Sequence, residues 1–161
     1  MPVTTKLSSR VLDEKDRKIL MILQKDGRES LTVIARKVNL SIDSVHKRIK
    51  EMKRKGVFTA GTFINPRVIG FPLVADIKIK LRNITEKQKE GFIEHLIDHP
   101  RVIELLSIMG DFDLTLVLIA ENTDELDRIS TEIRQKYNEM IADWKGILIL
   151  KTHKFEYYDL G

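Results

Sequence analysis

The sequence predicts an α+β chain, three helices followed by strands and helices in the order βαββαβ. Three observations carry that prediction. Apolar residues recur at helical spacing up to about residue 55 and then change to the alternation of half-buried strands. The stretch 42–55 has an apolar back and a cationic front. The charge is divided as well: residues 1–70 hold 16 Lys/Arg against 7 Asp/Glu, and residues 71–161 hold 12 against 17. That division implies a basic module for a polyanion joined to an acidic module of another kind.

Residues 1–11 read as a flexible basic arm. Asp13 caps a first helix through Lys25 whose apolar face is Leu12, Ile19, Leu20 and Leu23, and Asp26-Gly27 ends it. Ser30 caps a second helix with Leu31, Ile34, Ala35 and Val38 inward. Asn39 sits at the bend, because Asn tolerates the left-handed backbone, and Leu40 plugs the corner. Ser41 caps a third helix with its apolar stripe at Ile42, Val45, Ile49 and Met52, ending at Gly56. Opposite that stripe lie Asp43, Lys47, Lys50 and Arg54, with Ser44, His46 and Glu51 on the flanks. A tight corner leading into a helix of this kind is the helix-turn-helix arrangement, of winged type, whose second helix enters the major groove. The competing reading is a solvated lysine-rich surface helix.

Val57 to Ile64 reads as a short strand or extended linker, and Asn65-Pro66, Gly70 and Pro72 punctuate the chain beyond it. The boundaries are therefore 1–57 for the helical domain, 58–72 for a linker or hinge strand, and 73–161 for the second domain. In that domain 73–82 alternates as a strand. Thr85 and Gln88 make a capping box for a helix carrying Phe92, Ile93, Leu96 and Ile97. Val102–Met109 and Leu114–Ala120 are strands about the turn at Gly110–Asp113. Asn122 or Thr123 opens a helix with Leu126, Ile129, Ile133, Tyr137 and Met140 inward. Gly146 leads into a strand at Ile147–Lys151, and 153–158 is again strand-like. The order is that of a ferredoxin-like (ACT-like) split βαβ fold. Both helices then cover one sheet face, and the strands read as apolar on both. An uncovered apolar face predicts pairing of two sheets across a two-fold axis, a homodimer.

The absence of cysteine excludes disulfides, zinc-thiolate sites and a thiol nucleophile. No apolar run approaches the ~20 residues of a membrane span, and no signal-peptide core precedes the first helix, so a cytoplasmic location is expected. His95 and His99 stand at i, i+4 in HLIDH with Glu94 and Asp98 beside them. That spacing could hold a metal, but it lacks the glutamate placement of a zinc protease, and solvated helix residues are the better reading. No nucleophile motif or phosphate loop is present, so no enzyme, metal or cofactor is expected.

The chain resembles the Lrp/AsnC (feast/famine) family of prokaryotic transcription regulators over about residues 11–158. The matching residues are Leu12-Asp13, Asp16, Ile19-Leu20, Leu23 and Asp26-Gly27-Arg28, then Ala35, Val38, Leu40-Ser41, Val45, Arg48-Ile49 and Gly56-Val57. Gly61, Asn65-Pro66, Gly70 and Gly110-Asp111-Phe112-Asp113 continue the match. Met52 and Phe58 depart from the Leu and Ile usual in the family. The resemblance implies a DNA-binding domain followed by a domain that dimerises and often binds an amino acid. It also implies assembly beyond the dimer, commonly to an octamer, and an effector held between dimers near Gly110–Asp113.

For DNA, Ser44, His46, Lys47 and Lys50 are the candidate groove residues, with Arg48 and Arg54 assigned to phosphates and Ser30 and Thr32 reaching phosphate from the preceding helix. Asp43 could accept from a cytosine amino group, though stabilising the helix N-terminus is its simpler role. For an effector, Gly110, Asp111, Phe112 and Asp113 are the candidates. The two carboxylates would take an α-amino group where glycine lets a ligand approach the backbone. Without the resemblance, the same residues are a hairpin turn. An architectural, chromosome-coating protein would use the same basic charges without an effector.

Overall fold

The computed structural model describes residues 11–160, so the basic arm expected at 1–11 lies outside the described residues except for Val11. The chain forms two compact units. One runs to Phe63 and takes back the chain from His153; the other is Ile64–Thr152.

The first unit is three helices: α1 (Glu14–Lys25), α2 (Leu31–Val38) and α3 (Ile42–Arg54). Local chemistry starts each one. Asp13 and Asp16 form a reciprocal capping box on α1. The Ser30 hydroxyl accepts from Val33 N–H, and the Ser41 hydroxyl accepts from Ser44 N–H. Asn39 takes φ 53° and ψ 60° and ends α2 as the corner requires. Leu40 N–H then donates to Ala35 O at 3.1 Å, and its side chain packs on the core. That core is Ile19, Leu20, Ile34, Ala35, Val38, Val45 and Met52. Ile42, expected in the apolar stripe of α3, is 46% exposed: it occupies the first turn, beyond the reach of the neighbouring helices. Residues 57–64 form no ladder; Val57 and Phe58 instead pack against the helical core.

The second unit is β1 (Leu73–Leu81), α4 (Glu86–Ile97), β2 (Val102–Ser107), β3 (Leu114–Ala120), α5 (Thr123–Lys136) and β4 (Ile141–Leu148). The sheet is antiparallel in the order β2-β3-β1-β4, as a split βαβ fold demands. Ala75, Ile77, Ile79, Leu114, Leu116 and Leu118 meet Phe92, Leu96, Ile129 and Ile133 to make its core. Ile97 is 64% exposed, at the end of α4.

Two expectations are corrected. The last strand is Ile141–Leu148, not 147–151, and Gly146 lies within it opposite Ile77 rather than before it. Added to Gly146, a Cβ would stand 3.2 Å from Ile77 Cδ1, so a side chain there would press on that methyl. The stretch 153–158 is not a strand; it packs with the first unit.

The helix-free face of the sheet is not uniformly apolar. Thr115 donates to Asp76 Oδ1 at 2.5 Å, and Lys78 Nζ donates to Asp76 Oδ2 at 2.8 Å. These groups line a shallow open cleft with Glu104, Leu106, Val117 and Ile149. Burial and these hydrogen bonds act oppositely on Asp76, and the Lys78 and Thr115 bonds leave its carboxyl below the usual range. Apolar residues surround the polar centre, Leu106 and Ile147 among them.

The second half of the expected linker is bonded into this unit. Arg67 donates to Pro72 O at 2.7 Å and to Ile149 O. The Arg101 guanidinium lies 4.2 Å from the centroid of the Phe71 ring and is itself held by Glu125 at 2.8 Å. No helix among the described residues is long and apolar enough to cross a membrane.

Candidate nucleic-acid interface

Val45 and Met52, both buried, and the half-buried Ile49 fix which side of α3 faces the core. The opposite side is then determined by the 100° step per residue. Asp43, His46, Lys47, Lys50, Lys53 and Arg54 are exposed there, and Ser44 is half-buried at its edge with its hydroxyl bonded to Ser41. The sequence-derived face is therefore the solvent face. Its side chains differ in what they are bound to. His46, Lys47 and Lys50 have no side-chain hydrogen bond or ion pair with any described residue. Lys53, which the sequence reading left out, lies 5.6 Å from the centroid of the Phe58 ring.

The two arginines assigned to phosphate are engaged within the protein. Arg48 Nη1 is 2.6 Å from Asp13 Oδ2 and 2.8 Å from Asp16 Oδ1. The hydrogen bonds to Asp16 and Asp13 push its pKa up. Asp13 is held below the usual carboxylate range, first by the Asp16 backbone N–H it caps and then by Arg48. Arg54 makes a two-pronged pair with Glu51, Nη2–Oε1 2.7 Å and Nε–Oε2 2.9 Å. That pair, with Lys55 beside it, holds Glu51 at about 2. Arg54 stays well exposed, and its pair sits in water, where it costs little to exchange one anion for another.

Ser30 and Thr32 are exposed at the start of α2, with the Ser30 hydroxyl already capping Val33 N–H. Lys15 Nζ donates to Val38 O at 2.5 Å, closing the other end of α2 beside the corner.

In the second unit Gly110 has φ +143°, a backbone that side chains rarely adopt. Asp113 is built into the fold: its Oδ2 accepts from Leu81 N–H at 2.7 Å, where β1 bulges between Lys80 and Leu81, and lies 3.5 Å from Lys80 Nζ. Its main chain bonds Ile79 O and Ile108 N–H. Phe112 is half-buried. Asp111 is exposed without a partner among the described residues, next to the fully exposed Met109. The two aspartates of the turn therefore differ, one structural and one open to solvent.

His95 and His99 have ring centroids 6.5 Å apart. His95 Nδ1 is 3.3 Å from Lys136 Nζ, and His99 Nδ1 accepts from Arg101 N–H. Burial lowers both pKa values. Among the described residues no three His, Cys, Asp or Glu converge on a metal position.

Residues 12–53 match the AsnC-type helix-turn-helix domain, and residues 74–158 match the Lrp/AsnC ligand binding domain. The chain is 31% identical over 153 residues to the HTH-type transcriptional regulator FL11 of Pyrococcus furiosus, a match covering 89% of this chain and 93% of that one. An AsnC family transcriptional regulator from Agrobacterium tumefaciens superposes with a TM-score of 0.79 at 25% identity, covering 89% and 94% of the two chains. The transcriptional regulator NMB0573 of Neisseria meningitidis, solved as an L-Met complex, gives 0.79 at 22% identity over 89% and 93%, a likeness of fold.

Proposed function

The chain belongs to the Lrp/AsnC family of transcriptional regulators, with a DNA-binding helix-turn-helix and a ligand-binding domain, and from that premise we propose that it reads a specific DNA sequence through the solvent face of α3 and responds to an amino acid. The observation that carries the reading is the contrast on α3. His46, Lys47 and Lys50 are exposed and, among the described residues, uncommitted, while Arg48 is held by Asp13 and Asp16. Lys47 and Lys50 supply cations for guanine acceptors or phosphate, and Asp43 and Ile42 at the N-terminal turn supply an acceptor and an apolar contact. Arg54, Ser30 and Thr32 serve the phosphates.

The effector half rests on the ligand-binding match and on Asp111, whose uncommitted carboxylate stands beside Gly110 and Met109. A carboxylate, a glycine and an apolar side chain suit the ammonium, the backbone approach and the side chain of an amino acid. The structurally similar Neisseria regulator was solved with L-Met. The reading includes homodimerisation through the helix-free sheet face, which would cover Leu106, Val117 and Ile147 and supply two reading helices for a two-fold site. Assembly of dimers into an octamer is the corresponding proposal for the higher order.

Footprinting on the DNA upstream of the protein's own gene tests this, at low and near-physiological salt, with and without mixed amino acids. Discrete protection that survives salt and changes with amino acids is expected. Uniform protection that vanishes with salt would replace the reading with the architectural one.

A further inference from the structure

We propose that residues 155–160 are a working part of the DNA-binding unit, and that Gln24 and Leu160 are positioning residues for α3, acting through α1. The functional half of this inference rests on the DNA-binding reading above; the structural half stands apart from it.

The side-chain amide of Gln24 meets both polar groups of one tail residue. Gln24 Nε2 donates to Tyr158 O at 3.0 Å, and Tyr158 N–H donates to Gln24 Oε1 at 2.9 Å. The amide thus satisfies the Tyr158 backbone as a neighbouring strand would. Met21, one turn earlier on the same side of α1, lies 3.4 Å through its sulfur from Leu160 N. The Leu160 side chain joins the edge of the three-helix core with Leu12, Ile22, Leu23 and Leu40. Phe155 stacks edge-on to Phe63, centroids 5.4 Å apart at 73°. The matched amide pair, the sulfur contact, the ring pair and the Leu160 side chain together make a docked segment rather than a loose end.

The chain's connectivity gives this docking a consequence. The matched helix-turn-helix domain ends at residue 53 and the matched ligand-binding domain at 158, so Leu160 belongs to neither. Yet Leu160 packs against the core that seats α3. The chain passes between the units twice, at 63–64 and at 152–153. The second crossing leads from β4 directly into the segment that grips α1, and α1 in turn packs on α3 and holds Arg48. Anything that draws residues 149–154 away therefore loosens the seat of the basic helix without acting through the linker.

The test uses the full chain, a chain ending at Lys154, and the variants Leu160→Asp, Leu160→Met and Gln24→Ala. Hydrogen exchange is read by mass spectrometry. In the shortened chain and in Leu160→Asp, amides of 14–25 and 42–54 exchange about tenfold faster or more, while 73–81 and 114–120 are unchanged. Gln24→Ala gives a smaller change in the same direction, and Leu160→Met gives none. A peptide of residues 155–160, added at high concentration, restores protection to the shortened chain. DNA affinity of the shortened chain falls by about fivefold or more with its salt slope unchanged, because no phosphate contact has been removed. Unchanged exchange in α1 and α3, or faster exchange spread evenly over both units, overturns the inference. A full chain that binds no DNA defeats the functional reading instead and leaves the exchange result to decide the docking.

Discussion

Arg48 Nη1 stands 2.8 Å from Asp16 Oδ1, tying the middle of the basic helix to the first turn of α1, with Asp13 completing the clamp at 2.6 Å. A cation on the DNA-binding helix thus serves to hold that helix in place. Arg48→Ala is expected to lower specific DNA affinity while leaving the salt slope of non-specific binding unchanged. Lys47→Ala and Lys50→Ala each reduce that slope by about 1. Salt titrations of the three variants decide this, and a slope reduced in Arg48→Ala would return Arg48 to the phosphates.

The clamp carries a pH dependence. Asp13 has its folded pKa depressed below the ordinary 3.8, so its contribution to stability is fully present above that value. It is lost as pH falls through the lower, folded value. Asp13→Asn keeps a cap but not the charge opposite Arg48. Urea unfolding at several pH values is expected to show the variant less stable at neutral pH, with the difference shrinking below about pH 4. A difference that stayed constant to about pH 2.5 would contradict the charge argument.

Asp113 and Asp111 separate stability from ligand response. Asp113→Ala strands the Leu81 N–H at the bulge and should cost about 1–3 kcal/mol, read by thermal unfolding. Asp111→Asn should leave the melting temperature unchanged and abolish the calorimetric heat of whichever amino acid the wild type binds. Equal effects of both substitutions on stability would remove the distinction.

Ile42 offers a sharper reading of DNA. An apolar side chain at the first turn of a groove helix suits the thymine methyl group. Replacing thymine by uracil, position by position in a bound site, should weaken wild-type binding at one position per half-site and leave Ile42→Ala unaffected. Insensitivity of the wild type at every position would discard the contact.

Much of this architecture is legible in sequence because its determinants are local. The caps Asp13, Ser30, Ser41 and Thr85 act within three residues, and Asn39 takes the left-handed backbone that its place at the corner demanded. What escaped was set at a distance. Arg48 reads as a surface cation until Asp13 and Asp16, more than thirty residues away, are placed beside it. Gly146 reads as the lead into the last strand, whereas it lies within that strand opposite Ile77 on β1. The tail alternates like a strand, but its partner is a glutamine 134 residues earlier. Ile42 kept the apolar period of α3 but fell in the first turn, where no partner covers it. Asp111 and Asp113 look equivalent in the turn, and only the bulge in β1 separates them.

Sequence reading by the solvent face of α3 is the claim on which the rest depends. Selection of bound duplexes from a random pool, with wild type and Lys50→Ala in parallel, tests it most directly. The wild type is predicted to select a two-fold related pair of half-sites, about one helical turn or a multiple apart. Lys50→Ala is predicted to show weaker or altered preference within each half-site. No enrichment by the wild type, or an identical motif selected with equal strength by Lys50→Ala, would contradict it.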